Sequence, residues 1–164
     1  MSGIYIHIPF CKKACHYCNF HFSTNQNTKS AFVKAVCKEL SLRKSELDSQ
    51  VIQTIYFGGG TPTVLEVDEL VSILDVIYET YQVSETPEIT LEANPDDLDS
   101  KKIKALSKTK INRLSIGIQS FHSSDLSAMN RAHNADEAKK CLEIATTYFD
   151  NITIDLMYGI PTMT

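Results

Sequence analysis

Five short runs rich in apolar, β-branched residues recur along this chain: Ile4–Ile8, Thr54–Phe57, Glu88–Glu92, Arg113–Ile118 and Ile152–Met157. Their starts lie on average about 37 residues apart, too far for hairpins and right for parallel strands joined by helical crossovers. The intervals carry helical periodicity. Phe32, Val33, Val36, Cys37 and Leu40 within Lys29–Arg43 fall at three- and four-residue spacing, as do Val67, Leu70, Val71, Leu74, Tyr78 and Tyr81 within Glu66–Tyr81. Asn134 with Glu137 three residues later reads as a capping box for a helix holding Ala138, Cys141, Leu142 and Ala145. Leu98–Lys108 gives a shorter helix.

Strand and helix in alternation, with right-handed crossovers, give either an open doubly wound sheet or a (β/α) barrel. Polar and glycine residues follow every strand: Cys11, Gly58-Gly59-Gly60, Glu92-Ala93-Asn94-Pro95, Gln119 and Tyr158-Gly159. A ligand site drawn from all strands is what a barrel mouth offers, so the expected fold is α/β, an incomplete parallel (β/α) barrel of about five units. Five units do not close a barrel, and residues 1–164 read as the amino-terminal portion of a longer design. With 43% hydrophobic and 22% charged residues, the 164 residues suit one domain. A net charge of −4 without like-charge runs disfavours nucleic acid or an anionic membrane surface as partner. Ile4–Phe10, interrupted by His7 and Pro9, is neither a membrane span nor a signal peptide. Five cysteines without such a signal point to the reducing cytoplasm and to thiols used as ligands.

Cys11, Cys15 and Cys18 form C-x-x-x-C-x-x-C on the loop after the first run, a spacing that lets three thiolates serve one small centre. A structural zinc wants four closed ligands, which His16 or His21 could complete; a dithiol redox pair would leave the third cysteine idle. Iron–sulfur clusters usually take four cysteines, and Cys37 and Cys141 sit on apolar helix faces, where buried small side chains are the ordinary reading. A four-iron, four-sulfur cluster with one iron open to a small molecule is the remaining option. Taken alone, Gly58-Gly59-Gly60-Thr61-Pro62 reads as a tight turn and is not a P-loop, because no Lys-Ser/Thr follows.

The cysteine motif, with Tyr5-Ile6-His7-Ile8-Pro9-Phe10-Cys11 before it and Cys15-His16-Tyr17-Cys18-Asn19-Phe20 within it, resembles the radical S-adenosylmethionine (SAM) proteins. Within them it is similar to the branch of oxygen-independent coproporphyrinogen III oxidase (HemN) and the related haem chaperones (HemW). The resemblance runs from Ile4 to Pro161. It implies a 4Fe-4S cluster on Cys11, Cys15 and Cys18, and SAM bound by Gly59, Gly60 and Thr61. Glu92 of Leu91-Glu92-Ala93-Asn94-Pro95, Gln119 of Gly117-Ile118-Gln119-Ser120, Arg131 and Asp155 would make further SAM contacts. Tyr5 and Tyr17 would stand beside the cluster and the adenine. On their own, Glu92 and Arg131 read as solvated charges, Gln119 as a turn amide and the tyrosines as packing aromatics. Asp155, alternating with Ile154 and Leu156, is unusual as an inward acid on a parallel strand.

The resemblance also implies one-electron cleavage of SAM, and hence a small electron-donor protein. Two activities compete under it: oxidative decarboxylation of coproporphyrinogen III, and binding of haem or porphyrin for delivery to a haem acceptor protein. The HemN pattern has a further cysteine two residues after the third ligand, where this chain has Phe20, and a long segment before its first strand, where here Ile4 already begins it. Both departures favour the chaperone. A zinc-binding structural module would explain the cysteines alone. None of His7, His16, His21, His122 and His133 is singled out as a haem ligand; His7, among isoleucines, reads as a hydrogen-bonded core group.

Overall fold

The computed structural model describes residues 2–47 and 50–160; Pro161 and the end of the chain lie outside the described residues. Its elements run β1 (Ser2–Ile8), α1 (Lys29–Leu42), β2 (Ile52–Gly59), α2 (Val67–Thr80), β3 (Val83–Ala93), α3 (Ser100–Leu106), β4 (Arg113–Gln119), α4 (Ser123–Ala128), α5 (Ala135–Tyr148) and β5 (Ile152–Leu156). The strands form one sheet in the order β1-β2-β3-β4-β5, each parallel to its neighbours. This is the expected partial barrel.

Alternation along the strands sorts the two faces of the sheet. Ile6, Ile8, Ile55, Phe57, Ile89, Leu91, Leu114, Ile116 and Ile118 pack in one core with Leu70, Ile73, Leu74 and Ile77 of α2, Ile103 and Leu106 of α3, and Ala138, Cys141 and Ala145 of α5. The residues between them are mostly polar: Tyr5 and His7, Thr54 and Tyr56, Thr90 and Glu92, Arg113 and Ser115, Thr153 and Asp155. Arg113 joins three of these strands by donating to Thr90 Oγ1 at 3.1 Å and Thr153 Oγ1 at 2.7 Å.

The capping box before α5 forms as expected, with Asn134 Oδ1 accepting from Asp136 and Glu137 N–H, each at 3.0 Å, and Glu137 Oε2 accepting from Asn134 N–H at 2.8 Å. Two details differ from the sequence reading. β3 starts at Val83, five residues earlier than expected. Pro87, which cannot donate to a ladder, falls where the β2 register jumps from Ile52↔Val83 to Thr54↔Glu88. The six-residue α4 carries no apolar repeat; Leu126 is its one buried hydrophobic side chain, packed with Met129 and Ala135 in a separate small cluster.

Candidate functional site

The carboxyl ends of the strands surround a cavity of about 320 Å³ lined by residues from Cys11 to Asp155. Its floor comes from main-chain pairing that outlasts the strands. Gly60 N–H donates to Ile8 C=O at 2.8 Å and Thr61 N–H to Phe10 C=O at 2.7 Å, which lays the glycine segment beside the start of the cysteine loop. The loop returns on itself: Cys11 N–H reaches Ser23 C=O at 3.0 Å, and Ser23 N–H reaches Pro9 C=O at 2.8 Å.

Glycine is required in this cradle. A Cβ on Gly60 would lie 2.7 Å from Phe10 O, 3.0 Å from Ile8 O and 3.0 Å from Cys11 Sγ, and one on Gly59, at φ 109°, would lie 2.6 Å from the His7 ring. Because two of the Gly60 clashes are with backbone, Gly60→Ala is expected to lower stability by about 1–3 kcal/mol, the usual scale of overpacking. That corresponds to a drop of roughly 3–10 °C in melting temperature, read by calorimetry; an unchanged transition would refute the clash.

Cys11 is buried while Cys15 and Cys18 are half-buried, and all three line the cavity. Burial pushes the Cys11 thiol up; the hydroxyl of Thr61, donating to its Sγ at 3.4 Å, works against this, and the neighbouring Cys18 and Cys15 add to the rise. Thr61 Oγ1 in turn accepts from Asn94 Nδ2 at 3.1 Å.

Arg131 ties the walls together. Its guanidinium donates to Gly117 O at 2.6 Å, Asn94 Oδ1 at 2.7 Å, Tyr17 Oη at 3.2 Å and Cys15 Sγ at 3.5 Å. Its Nε is buried with no partner among the described residues. The segment around Arg131 also clasps the cysteine loop: His16 N–H donates to Met129 O at 3.1 Å, His16 Nδ1 to Ala128 O at 2.9 Å, and Asn130 Nδ2 to Ala14 O at 2.7 Å. On the other side, Lys12 pairs with Asp97 Oδ1 at 2.5 Å and Asp96 Oδ2 at 3.2 Å. Burial raises the Asp97 carboxyl, and Lys12 opposes that rise.

Glu92 holds both oxygens in hydrogen bonds, accepting from Tyr56 Oη at 2.7 Å and Gly59 N–H at 3.1 Å. Burial, reinforced by Glu92, raises Tyr56 to about 12, so it remains a donor. Asp155 sits opposite Gly117 in the β4–β5 register, which brings its carboxylate to the cavity. Tyr17 lines the cavity, its hydroxyl raised to about 12, chiefly by burial. Tyr5 does not line it. It is 59% exposed, stacks on Tyr56 at 6.0 Å, and lines a separate groove at the β1 edge. His7 is held as expected for a hydrogen-bonded group: Nε2 donates to His21 O at 3.2 Å, leaving Nδ1 to accept from Tyr5 Oη at 3.1 Å.

Eleven of the twelve expected site residues therefore surround one cavity. The structure adds Asn94, Ser115, Gly117 and Lys13 to its lining, and Lys12, His16 and Asn130 as anchors of the loop. The sequence signal for Ser115 and Gly117 was their alternation with Leu114, Ile116 and Ile118 on β4.

The chain matches the family model described as Radical SAM superfamily over residues 5–164. It belongs to the radical SAM superfamily. It is similar to the haem chaperone HemW of Bacillus subtilis, with 36% identity over 100% of this chain and 44% of that protein. It is also similar to an oxygen-independent coproporphyrinogen III oxidase of Synechocystis, with 34% identity over 97% of this chain and 35% of that protein. Among solved structures, coproporphyrinogen III oxidase (HemN) from Escherichia coli, a radical SAM enzyme, superposes with a TM-score of 0.90 at 28% identity, covering 99% of this chain and 38% of that one. The chain thus spans less than half the length of these relatives.

The residues present fit the two groups that radical SAM proteins use. Among the described residues no three His, Cys, Asp or Glu side chains converge tightly enough for a single metal ion. A cluster places its thiolates on separate irons, and the three cysteines line one cavity. Thr61 and Arg131 already donate to two of the three sulfurs, and the glycine cradle leaves room beside them. Among the described residues no helix is long and apolar enough to cross a membrane.

Proposed function

We propose that this chain is the cluster- and SAM-binding, amino-terminal portion of a HemW-type haem chaperone. The observation that carries this reading is the convergence of Cys11, Cys15 and Cys18 with Gly59, Gly60, Thr61, Glu92, Gln119, Arg131 and Asp155 on one cavity, with Phe20 at its mouth. Cys11, Cys15 and Cys18 would hold the cluster; Gly59–Thr61, Glu92, Gln119, Arg131 and Asp155 would hold SAM, and Tyr17 would flank them. When bound, the pair supplies one-electron cleavage chemistry. The protein's own part is to bind, orient and shield. Glu92 offers acceptor lone pairs to an ammonium group, Arg131 a planar fork to a carboxylate, and Asp155 an acceptor pair to hydroxyls. Tyr5 keeps a supporting role through its stack on Tyr56 and so on Glu92.

Phe20 favours the chaperone over the oxidase. It is 64% exposed at the cavity rim, at the position where the HemN pattern has its additional cysteine. An apolar ring there offers a surface to a planar macrocycle and no thiol to the chemistry. The zinc module explains the cysteines but leaves the glycine cradle and the acid, amide and guanidinium around it unused. The same proposal includes haem or porphyrin as cargo, a small electron-donor protein, a haem acceptor protein and a cytoplasmic setting.

The deciding experiment supplies the anaerobic, full-length protein with reductant, SAM and coproporphyrinogen III, and titrates haem in parallel. Saturable haem binding followed by transfer to an apo-acceptor, with no protoporphyrinogen IX, is the expected result. Multiple turnovers to protoporphyrinogen IX would make the protein an oxidase.

A further inference from the structure

β4 ends in a turn that its sequence does not favour. Gln119 has φ 65°, a left-handed backbone without a glycine, and Ser120 N–H donates to Ile118 C=O at 2.9 Å. Residues 118–120 are therefore a γ-turn of the rare positive-φ kind, which persists only where its surroundings over-determine it. Three contacts do so. Met157 N–H donates to Gln119 O at 2.8 Å. Ser120 Oγ donates to Asp125 Oδ2 at 2.6 Å. His133 donates Nε2–H to Ile118 O at 3.1 Å, the same carbonyl that closes the turn.

His133 is 3% exposed, and its Nδ1 has no partner among the described residues. An imidazole buried for packing alone would cost its unpaired nitrogen for nothing; here the buried ring has one hydrogen bond, to the turn. Burial, then the nearby Arg131, lowers its pKa, so the ring is neutral with one N–H to give. The turn decides where Gln119 points: its amide lies over Gly117, so close that a Cβ there would be 3.0 Å from Nε2 and 3.4 Å from the Arg131 guanidinium. Amide and guanidinium thus share one wall of the cavity.

We propose that His133 is a positioning residue that locks the Gln119 turn and thereby aims the Gln119 amide at the ligand in the cavity. This rests on the reading of that cavity as the SAM site.

The test is a double-mutant cycle read by calorimetric titration of SAM into reconstituted protein, with iron content and melting temperature measured on every variant. Gln119→Ala and His133→Asn are each expected to weaken SAM binding about tenfold, the scale of one lost hydrogen bond. The double variant should bind no more weakly than Gln119→Ala alone, because coupled residues are non-additive. An asparagine amide stops short of the Nε2 position, whereas a glutamine amide reaches it, so His133→Gln should restore most of the affinity at similar stability. Additive losses, or parent-like affinity in His133→Asn, would overturn the inference. Parent-like affinity in Gln119→Ala would instead overturn the SAM reading of the cavity, and the inference with it.

Discussion

Alanine at Cys11, Cys15 or Cys18 is expected to abolish cluster assembly, while alanine at Cys37 or Cys141 leaves it intact. Anaerobic reconstitution of the parent should yield about four iron and four sulfide per chain. The contrast follows from position. The first three thiols share a cavity with Thr61 and Arg131 donating to them. Cys37 lies on α1, its thiol 3.9 Å from Ser72 O of α2. Cys141 is 3% exposed in the core under α5, and burial lifts its thiol to about 11, far from the thiolate a metal needs. Removing its sulfur should therefore cost stability, on the order of 1 kcal/mol, with no change in iron. One tightly bound zinc per chain and no cluster would sink the assignment.

Arg131→Ala is expected to weaken SAM binding by roughly ten- to a hundredfold, the range of a charge-assisted hydrogen bond worth about 1.5–3 kcal/mol. It should leave the iron content near that of the parent, because all three thiolates remain. The structure adds a second consequence. Gly117 O, Asn94 Oδ1 and Tyr17 Oη all lose a donor at once, so the cysteine loop should also become more accessible to protease. Arg131→Lys should rescue little, since a single ammonium cannot span the cysteine loop, Asn94 and the Gly117 carbonyl of β4 as the planar fork does. Equal SAM affinity in parent and Arg131→Ala, by calorimetry, would remove Arg131 from the ligand site.

Periodicity of two or nearly four residues made the sheet and the long helices legible, because burial on one face leaves its mark on every turn or pair of residues. α4 left no such mark: six residues bury Leu126 and little else that is apolar. The cysteines, the glycine cradle and the acids were legible for a different reason, since they cluster at or just beyond the carboxyl ends of strands. Tyr5 follows the strand alternation onto the inner face, where it stacks on Tyr56 and lines the groove at the β1 edge. The clasp on the cysteine loop was invisible altogether. Asn130 and Ala14 are 116 residues apart, as are Arg131 and Cys15, and nothing local in either segment announces the other. Nothing around His133 in the sequence announces its hydrogen bond to the Ile118 carbonyl, because the left-handed Gln119 backbone beside it is encoded by no side-chain pattern.

The two-faced sheet has an evolutionary corollary. Its aliphatic side, buttressed by α2, α3 and α5, supplies the cohesion of the fold, while on the other side the polar residues meet through sparser links such as those of Arg113 to Thr90 and Thr153. Selection can rewrite the second set without touching the first. Lineages sharing this scaffold are thus free to exchange cargo or substrate by drift along the inner wall, and a mutational scan should find those positions tolerant in folding assays and intolerant only when a particular guest is demanded.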